Sequence, residues 1–417
     1  MNYNDKVREI TTGAEMSRSA FNVLGKCYDT TVTDAEGRER VLGAIDYLTQ
    51  VKGRVPVHAD QYEPNQPIIF QDQGLTFVNS FRENTIPRVP DNWQESQAPA
   101  RIKDHLLTMF NDSAHGTKLI QWMAYNVQHM GKKIMWAPII CGIQGDGKST
   151  IFNILTAVLG EQNTKDISTQ ELFSDFSGYA EGACVCALEE IRVRGKNRHE
   201  VMNTLKPLIT NKRISVVKKG SNAKNVKNTI NYIGFTNYPD ALVLEEDDRR
   251  WAVFFSKFED KETLWAERSR GYWENLYEAI ENEAGAIRGW LLSVDLTGFD
   301  PLSLPDTGDF KARMVEAARS DDEKHMVEII NGSAEPRSIA TCQALRQEAR
   351  LDSLHISNEA IGRLLKSLGW TQYQRTRVRG TITRIYLHPL FVERFKKGEV
   401  DHAKIVSMAE KIVDSTF

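Results

Sequence analysis

Gly142-Ile143-Gln144-Gly145-Asp146-Gly147-Lys148-Ser149-Thr150 separates an apolar run from an amphipathic helical pattern. The run at 134–141 is typical of a buried strand, and the apolar stripe at 151–159 is typical of a helix that ends at Gly160. A strand, then G-x-x-x-x-G-K-[ST], then a helix is the order found in phosphate-binding loops. An incidental glycine-rich turn would not need these flanking elements. The stretch therefore predicts a site for a nucleoside triphosphate.

Each residue type in this loop can help to hold phosphates. Glycines let backbone N–H groups face an anion, and the helix N-terminus adds a positive field. Lys148 would reach the β- and γ-phosphates, and the hydroxyl of Ser149 would hold Mg²⁺. The predicted nucleotide-binding residues are Gly142, Gly145, Asp146, Gly147, Lys148, Ser149 and Thr150.

The composition limits the class of protein. The chain has 417 residues, is 41% hydrophobic and carries a net charge of −3, so we expect about two to four domains and any nucleic-acid contact only from local patches. No apolar run approaches the length of a membrane span, and the polar start is unlike a signal peptide. The cysteines show no metal-ligand spacing beyond Cys184 and Cys186, which lie in an apolar run. We therefore expect no membrane partner and a cytoplasmic location, in the host cytoplasm if a phage encodes the chain.

Two further apolar runs are followed by polar residues. The run at 183–188 precedes Glu189 and Glu190, and the run at 230–235 ends two residues before Asn237. Buried strands with polar C-terminal ends indicate a parallel sheet with its site along that edge. We assign Glu189 to the metal and Glu190 to the attacking water, and Asn237 would sense the nucleotide. An acidic strand end and an ordinary turn are the alternatives.

Paired arginines precede a further apolar run. Arg249 and Arg250 stand directly before residues 251–255. A surface ion-pair cluster is one interpretation. The other is an arginine finger, which raises hydrolysis by about 10³–10⁵-fold in other nucleotide hydrolases.

The segment at 201–228 has the most one-sided charge in the chain, with several lysines and no acidic residue. Its apolar residues alternate on both sides of a tip at 218–222, which predicts a hairpin. A solvated hairpin is the alternative. We expect instead that its side chains grip the phosphates of a polyanion without reading its sequence; they are Lys218, Lys219, Lys224 and Lys227.

These motifs, in this order, resemble the superfamily-3 helicase domain of phage, plasmid and poxvirus-type primase-helicases. The resemblance covers residues from about 100 to 260, and its pieces are 142–150 (motif A), 185–190 (motif B), 205–210 with the basic hairpin (motif B′), 233–237 (motif C) and the arginine pair. It implies an AAA+-type fold and a hexameric ring with ATP and Mg²⁺ between subunits. It also implies hairpin lysines in a central pore and 3′→5′ movement on single-stranded DNA. Carried over by position, Glu189 and Glu190 are the acidic pair, Asn237 is the sensor, and Arg250 is favoured over Arg249 as the finger.

Many relatives carry a primase-polymerase module before this region. Before Gly142 the sequence has no acidic triad on strands and no zinc-ligand set. We therefore expect no polymerase activity, and a priming module either in cis, on a larger protein, or in trans, as a partner.

We predict an α/β fold with an AAA+-type P-loop NTPase core, a mainly helical N-terminal region and a winged-helix-like C-terminal domain. Residues 1–99 would be helical up to about 60, with a turn at 30–37, followed by a proline-rich hairpin. Residues 100–133 would form helices, either a collar between subunits or an ordinary packed pair. Residues 134–300 would form the ATPase domain, and 301–417 the C-terminal domain.

The C-terminal prediction depends on a helix followed by a basic ribbon. A helical pattern at 356–369 precedes two short strand patterns that turn near Gly380. Arg377 and Arg379 would contact DNA phosphates, including duplex DNA at a fork. A wing that contacts protein is the alternative.

Three functions remain in view. The first is an ATP-dependent replicative DNA helicase that moves as a ring on single-stranded DNA. The second is another ring ATPase, such as a packaging or remodelling motor, for which the basic hairpin disfavours a protein substrate. The third is a nucleotide-gated DNA-binding scaffold, which would need no water-activating carboxylate.

Overall fold

The computed structural model describes residues 6–8, 15–17, 30–33, 36–42, 59–191, 198–220, 222–245, 247–332, 337–351 and 356–415. The chain divides into two compact units. The first comprises Met1–Leu242 with Asp248–Lys311, and the second comprises Val243–Asp247 with Ala312–Phe417. The four regions predicted from the sequence stay predictions.

Short strands occupy the described part of the first eighty residues, and they are β1 Lys6–Arg8, β2 Glu15–Ser17, β3 Thr30–Thr33, β4 Glu39–Leu42, β5 Ala59–Gln61, β6 Ile69–Asp72 and β7 Leu75–Asn79. β1 pairs with β2 and β3 with β4, both antiparallel. The helical prediction is therefore wrong at these strands, and so is the turn predicted at 30–33. Thr-Thr-Val-Thr is rich in β-branched residues, which favour a strand over a helix. Ile10, Phe21, Leu24, Ile45 and Leu48, which suggested helices, lie outside the described residues.

The proline-rich hairpin is confirmed. β6 and β7 pair antiparallel, and Phe70 stacks on Phe77 at a centroid distance of 5.7 Å. The sequence did not predict that β5 would pair with β7 in parallel. Asn79 joins this small sheet to the preceding turn, since its amide donates to the carbonyl oxygens of Glu63 and Gln66.

A parallel sheet forms the centre of the first unit, as predicted. The strands that follow along the chain are β8 Ala137–Cys141, β9 Thr164–Ser168, β10 Val185–Glu189, β11 Arg213–Val216, β12 Lys224–Lys227, β13 Asn231–Thr236 and β14 Trp251–Phe255. In the described part of the chain, five of them form one sheet in the order β14-β8-β13-β10-β9, all parallel. β8, β13 and β14 are buried along their whole length, which explains why their sequences are largely apolar.

Helices pack on this sheet, and those in the described part of the first unit are α1 Ala98–Thr108, α2 Ser113–Gln128, α3 Thr150–Leu159, α4 Arg198–Thr210, α5 Lys261–Glu267, α6 Arg270–Asn282 and α7 Ala284–Ser293. Asp112 caps α2 by accepting a hydrogen bond from the N–H of Ala114 at 2.8 Å. Trp122 of α2, Leu155 of α3 and Phe254 of β14 belong to one buried cluster. The helices predicted between 100 and 130 are confirmed, while their role as a collar stays a prediction.

The C-terminal part of the chain is mixed, with α8 Phe310–Ala317, α9 Asp321–Asn331, β15 Ile339–Thr341, α10 Cys342–Leu351, α11 Asn358–Ser367, β16 Thr371–Gln372, β17 Thr376–Val378, β18 Thr381–Thr383, β19 Ile385–Leu387, α12 Pro389–Lys396 and α13 His402–Ser415. β17 and β18 form the predicted ribbon, which turns at Arg379 and Gly380, both with positive φ. β15, β19 and β16 form a separate antiparallel sheet. The winged-helix interpretation stays a prediction. None of the described helices combines the length and apolar character that a membrane span requires.

Candidate functional site

The glycine-rich loop lies between the buried strand β8 and the N-terminus of α3, as predicted. Two of its glycines have no room for a side chain. A Cβ on Gly142 would lie 2.0 Å from Oδ2 of Asp146. A Cβ on Gly147, where φ is +89°, would lie 2.6 Å from Cε1 of His105 and 2.8 Å from the ring of Trp273. Any larger residue at either position would therefore displace the loop.

Lys148 is folded back onto the loop. Its Nζ donates to the carbonyl oxygen of Ile143 at 2.7 Å and lies 3.3 Å from Oδ1 of Asp146. Both side chains are buried, and Oδ2 of Asp146 has no hydrogen-bond partner among the described residues. The loop thus holds a buried cation whose charge is balanced by one carboxylate.

A hydroxyl and a carboxylate meet beside the loop. Oγ of Ser149 donates to Oε2 of Glu189 at 3.4 Å, although 40 positions separate the two residues. Burial raises the pKa of the Glu189 carboxyl, and the hydrogen bond from Ser149 opposes this effect. The described residues contain no group of three or more His, Cys, Asp or Glu side chains able to hold a metal ion. Mg²⁺ commonly takes one or two protein oxygens, with water and substrate phosphates as its other ligands, so this pair fits that metal.

Glu190 follows the end of β10 and is exposed. Its φ of +47° is uncommon for a residue with a side chain. Backbone of this kind is strained and persists only where the surrounding structure enforces it. Such residues are concentrated at functional sites. Here the Glu190 carbonyl oxygen accepts a hydrogen bond from Oγ1 of Thr169.

Asn237 reaches the same edge of the sheet from the neighbouring strand. β13 lies between β8 and β10, and Thr236 at its end is in register with Cys141 at the end of β8. Oδ1 of Asn237 is buried and has no hydrogen-bond partner among the described residues. A buried amide oxygen without a partner is costly and calls for an explanation, such as a ligand or a catalytic role. The structure thus brings Lys148, Ser149, Glu189 and Asn237 to one edge.

A buried cluster supports the loop from behind. Nη1 of Arg268 donates to Nδ1 of His105 at 3.1 Å and to the carbonyl oxygen of Asp146 at 3.2 Å. Because Nδ1 accepts this bond, Nε2 must carry the imidazole proton, and it lies 3.3 Å from the carbonyl oxygen of Gly147. Burial and the charge of Arg268 lower the pKa of His105 to about 3, so the ring is neutral at pH 7. Tyr272 completes the cluster with its hydroxyl 2.8 Å from Nδ1.

Sequence reasoning missed this cluster. His105 lies in α1, whereas Arg268 and Tyr272 lie just before and within α6, so no short motif joins them. The guanidinium of Arg268 also stacks on aromatic rings, at 5.0 Å from the centroid of Tyr272 and 5.6 Å from that of Trp273. The only available signal was the density of aromatic and basic residues at 265–273, which is common on ordinary helices.

The arginine pair does not join this site. Trp251, which follows the pair, is in register with Ala137 at the start of β8. The pair therefore lies at the N-terminal ends of the strands, whereas the loop lies at their C-terminal ends. Four residue steps along β8 correspond to about 13 Å. Arg249 is exposed, whereas Nη1 of Arg250 lies 3.7 Å from Oδ2 of Asp248. Which arginine is a finger stays a prediction.

The basic hairpin is present as β11 and β12, in antiparallel register. Its lysines have partners that the local sequence did not reveal. Lys218 pairs with Glu181, Lys227 pairs with Glu63 at 2.5 Å, and Nζ of Lys224 donates to the carbonyl oxygen of Asp60 at 3.2 Å. The segment itself contains no acidic residue, as the sequence indicated. In the folded chain, however, acidic residues from other segments pair with two of its lysines. Lys219 is exposed and forms no ion pair among the described residues.

The two arginines of the C-terminal ribbon differ in their surroundings. Arg377 is exposed on β17. Arg379 forms a two-pronged contact with the carboxylate of Asp414 in α13, with Nε 3.1 Å from Oδ1. DNA binding by both residues stays a prediction.

Comparison with known proteins gives a family model and a relative from a phage. A model of a family of unknown function (DUF5906) matches residues 140–250, which include the loop, the carboxylates, the hairpin and the arginine pair. A DNA primase-polymerase of Nitratiruptor phage NrS-1 is 26% identical over 243 residues, which are 58% of this chain and 32% of that protein. The chain thus matches about a third of that relative's length.

Solved structures give the same relative. The apo structure of the NrS-1 C-terminal region matches with a TM-score of 0.55 and 18% identity, over 88% of this chain and 98% of that one. A second apo structure of this region, in its A form, matches with a TM-score of 0.56 and 17% identity over the same shares. At these identities the likeness concerns the fold alone. The chain is therefore similar to a phage DNA primase-polymerase and has the fold of that protein's C-terminal region.

Proposed function

We propose that this chain is the ATP-dependent DNA helicase part of a phage-type primase-helicase. The observation that carries the proposal is the contact between Ser149 and Glu189 at 3.4 Å, beside a loop that holds a buried lysine. This arrangement supplies a hydroxyl and a carboxylate for Mg²⁺ and a cation for the β- and γ-phosphates of ATP. Bound Mg²⁺ would neutralise charge on the phosphates. Glu190 accepts a proton from the attacking water, and Asn237 holds that water in position.

The place of the arginine pair supports an oligomer. Arg249 and Arg250 precede the start of β14, whereas their own loop follows the end of β8, so an arginine finger in this pair would act on the nucleotide of another subunit. A closed ring repeats this contact at every interface. We therefore propose a hexameric ring with an arginine of each subunit completing its neighbour's site, as in the helicases that the motifs resemble.

The basic hairpin and the phage relative support DNA as the substrate. Lys219 is exposed at the tip. Lys218 would become a second cation for DNA if a phosphate replaced Glu181 as its partner. The similar phage protein is a DNA primase-polymerase. We propose that the hairpin contacts single-stranded DNA, that Arg377 and Arg379 contact fork DNA, and that a primase-polymerase module acts in cis or in trans.

Replacing the two tip lysines with alanine tests the DNA contact. We expect single-stranded DNA to stimulate steady-state ATP hydrolysis by the wild type, and the variant Lys218→Ala with Lys219→Ala to lose most of this stimulation. Loss of two phosphate contacts lowers the log–log salt slope of DNA binding by roughly 1.4. Fluorescence anisotropy of labelled single strands at several salt concentrations would measure the slope.

The matched control is Lys103→Ala with Lys132→Ala, which removes the same charge from exposed positions outside the hairpin. An unchanged salt slope in the hairpin variant would contradict the DNA contact. Hydrolysis by the wild type that is indifferent to DNA would contradict the helicase proposal itself.

Mixing two inactive variants tests the shared site. We expect Arg250→Ala to lower ATP turnover by about 10³-fold, because a finger stabilises charge in the transition state. Lys148→Ala subunits lack a working loop but keep their arginines. A mixture should therefore recover part of the turnover, since Lys148→Ala subunits complete the sites of Arg250→Ala subunits.

The same measurement on Arg249→Ala decides which arginine acts, and Arg346→Ala, at an exposed position in α10, is the control. Mixed oligomers that assemble but recover no turnover would contradict the shared site. Full turnover by both single arginine variants would show that neither Arg249 nor Arg250 acts as an arginine finger.

A further inference from the structure

A groove with three aromatic side chains among its seven lining residues lies beside the phosphate-binding loop. It measures about 420 Å³ and is formed by α5, α6 and the turn between them, with Trp265, Trp273 and Tyr277 in its walls. Trp265 is 68% exposed and Tyr277 is 46% exposed. Large aromatic side chains exposed together on one surface commonly mark a binding site.

The groove and the loop share a wall. A Cβ on Gly147 would lie 2.8 Å from the ring of Trp273, so this ring is packed directly on the loop. The hydroxyl of Tyr277 lies 3.4 Å from Oγ1 of Thr150, the first residue of α3. The rings of Trp273 and Tyr277 stack with centroids 6.3 Å apart and an angle of 26° between their planes. An aromatic surface thus begins where the loop ends.

The chemistry of a nucleotide fits this arrangement. Lys148 and Ser149 would hold the γ-phosphate. The base is at the opposite end of the nucleotide, so it must extend beyond the loop on the side of the α-phosphate. α3 begins at Thr150, and backbone N–H groups there suit the α-phosphate. A purine ring presents flat faces that stack on tryptophan and tyrosine. The groove offers such rings directly beyond Thr150.

We propose that this groove binds the purine base of the nucleotide whose phosphates lie in the loop. Trp265 is the stacking partner at the open side, and Trp273 with Tyr277 forms the wall next to the loop. Trp273 therefore has two contacts, one with the loop and one with the base. This inference rests on the proposed binding of ATP, and it adds the residues that contact the base.

Calorimetric titration with two ligands tests the inference. ATP and inorganic tripolyphosphate, each with Mg²⁺, share phosphates but only ATP has a base. We expect Trp265→Ala to weaken ATP binding by about tenfold and to leave tripolyphosphate binding unchanged, because stacking on one aromatic ring contributes at about this level. Trp265→Phe should keep most of the ATP affinity, since phenylalanine retains a flat ring.

Leu302→Ala is the matched control, because Leu302 is apolar and 68% exposed like Trp265 but lies outside the groove. Unchanged ATP affinity in Trp265→Ala would overturn the base site while leaving phosphate binding intact. Weaker binding of single-stranded DNA, with unchanged ATP affinity, would assign the groove to DNA bases and would also overturn the proposal. If the wild type bound neither ATP nor tripolyphosphate, the proposed function would fail first, and the base site with it.

Discussion

Replacing Lys148 with alanine is expected to lower ATP hydrolysis by on the order of 10³-fold and to abolish tight binding of ATP. Lys148 is the only lysine of the loop, and its ammonium lies within 2.7 Å of the Ile143 carbonyl oxygen, where a phosphate oxygen can replace that carbonyl. A cation in a buried site stabilises developing negative charge far more than one in water. Calorimetry would measure binding, and phosphate release would measure turnover.

The same substitution has a second effect that must be separated from the first. Asp146 is buried, and without Lys148 its carboxylate loses its cation. Leaving one charge of a buried pair uncompensated typically costs about 3–5 kcal/mol of folding free energy. A fall in Tm is therefore expected in Lys148→Ala, and it could be mistaken for the cause of lost activity.

A double variant resolves this ambiguity. Lys148→Ala with Asp146→Asn removes both charges, so we expect most of the lost Tm to return while hydrolysis stays absent. Lys103→Ala, at an exposed position on α1, is the control for removing a lysine elsewhere. Recovery of hydrolysis together with Tm in the double variant would show that Lys148 acts through stability and not on the phosphates.

Replacing Glu190 with glutamine is expected to slow ATP hydrolysis by on the order of 10²–10⁴-fold while ATP binding is kept. Glutamine has the same shape but cannot accept a proton from water. Both side chains place similar demands on the backbone, so the unusual φ of +47° at this position should be unaffected. Single-turnover hydrolysis would separate the chemical step from product release.

Two variants define the role of Glu190 against its neighbours. Glu189→Gln should instead raise the Mg²⁺ concentration needed for half-maximal turnover, because Glu189 contacts Ser149 at the metal position. Glu161→Gln, at an exposed position before β9, should change neither quantity. Normal turnover in Glu190→Gln would assign water activation to another group.

Much of the sheet could be predicted because its strands are buried on both faces. Such strands are mostly apolar, so β8, β10, β13 and β14 are visible as apolar runs. The N-terminal region could not be predicted in the same way. Apolar residues at spacings of three and four suggested helices there, but in the described part the β-branched Thr30–Thr33 segment forms a strand with Glu39–Leu42.

The candidate site shows the same division. The residues at the ends of parallel strands could be placed together from the sequence, since such strands end at one edge. The support of the loop by His105 and Arg268 could not be foreseen. These residues are 163 positions apart, and the cost of burying each is offset in part by its contact with the other and with the loop.

By itself, the sequence determined which segments become buried strands, where the phosphate-binding loop lies, and which polar residues follow the strand ends. These features depend on neighbours along the chain and on the period of apolar residues. Only the tertiary structure decided which charges are paired. Lys227 meets Glu63 across 164 positions, and the buried Arg268 meets the loop, because the partner of a charge can come from any part of the folded chain. For a buried charge such as Arg268, finding a partner is also an energetic requirement.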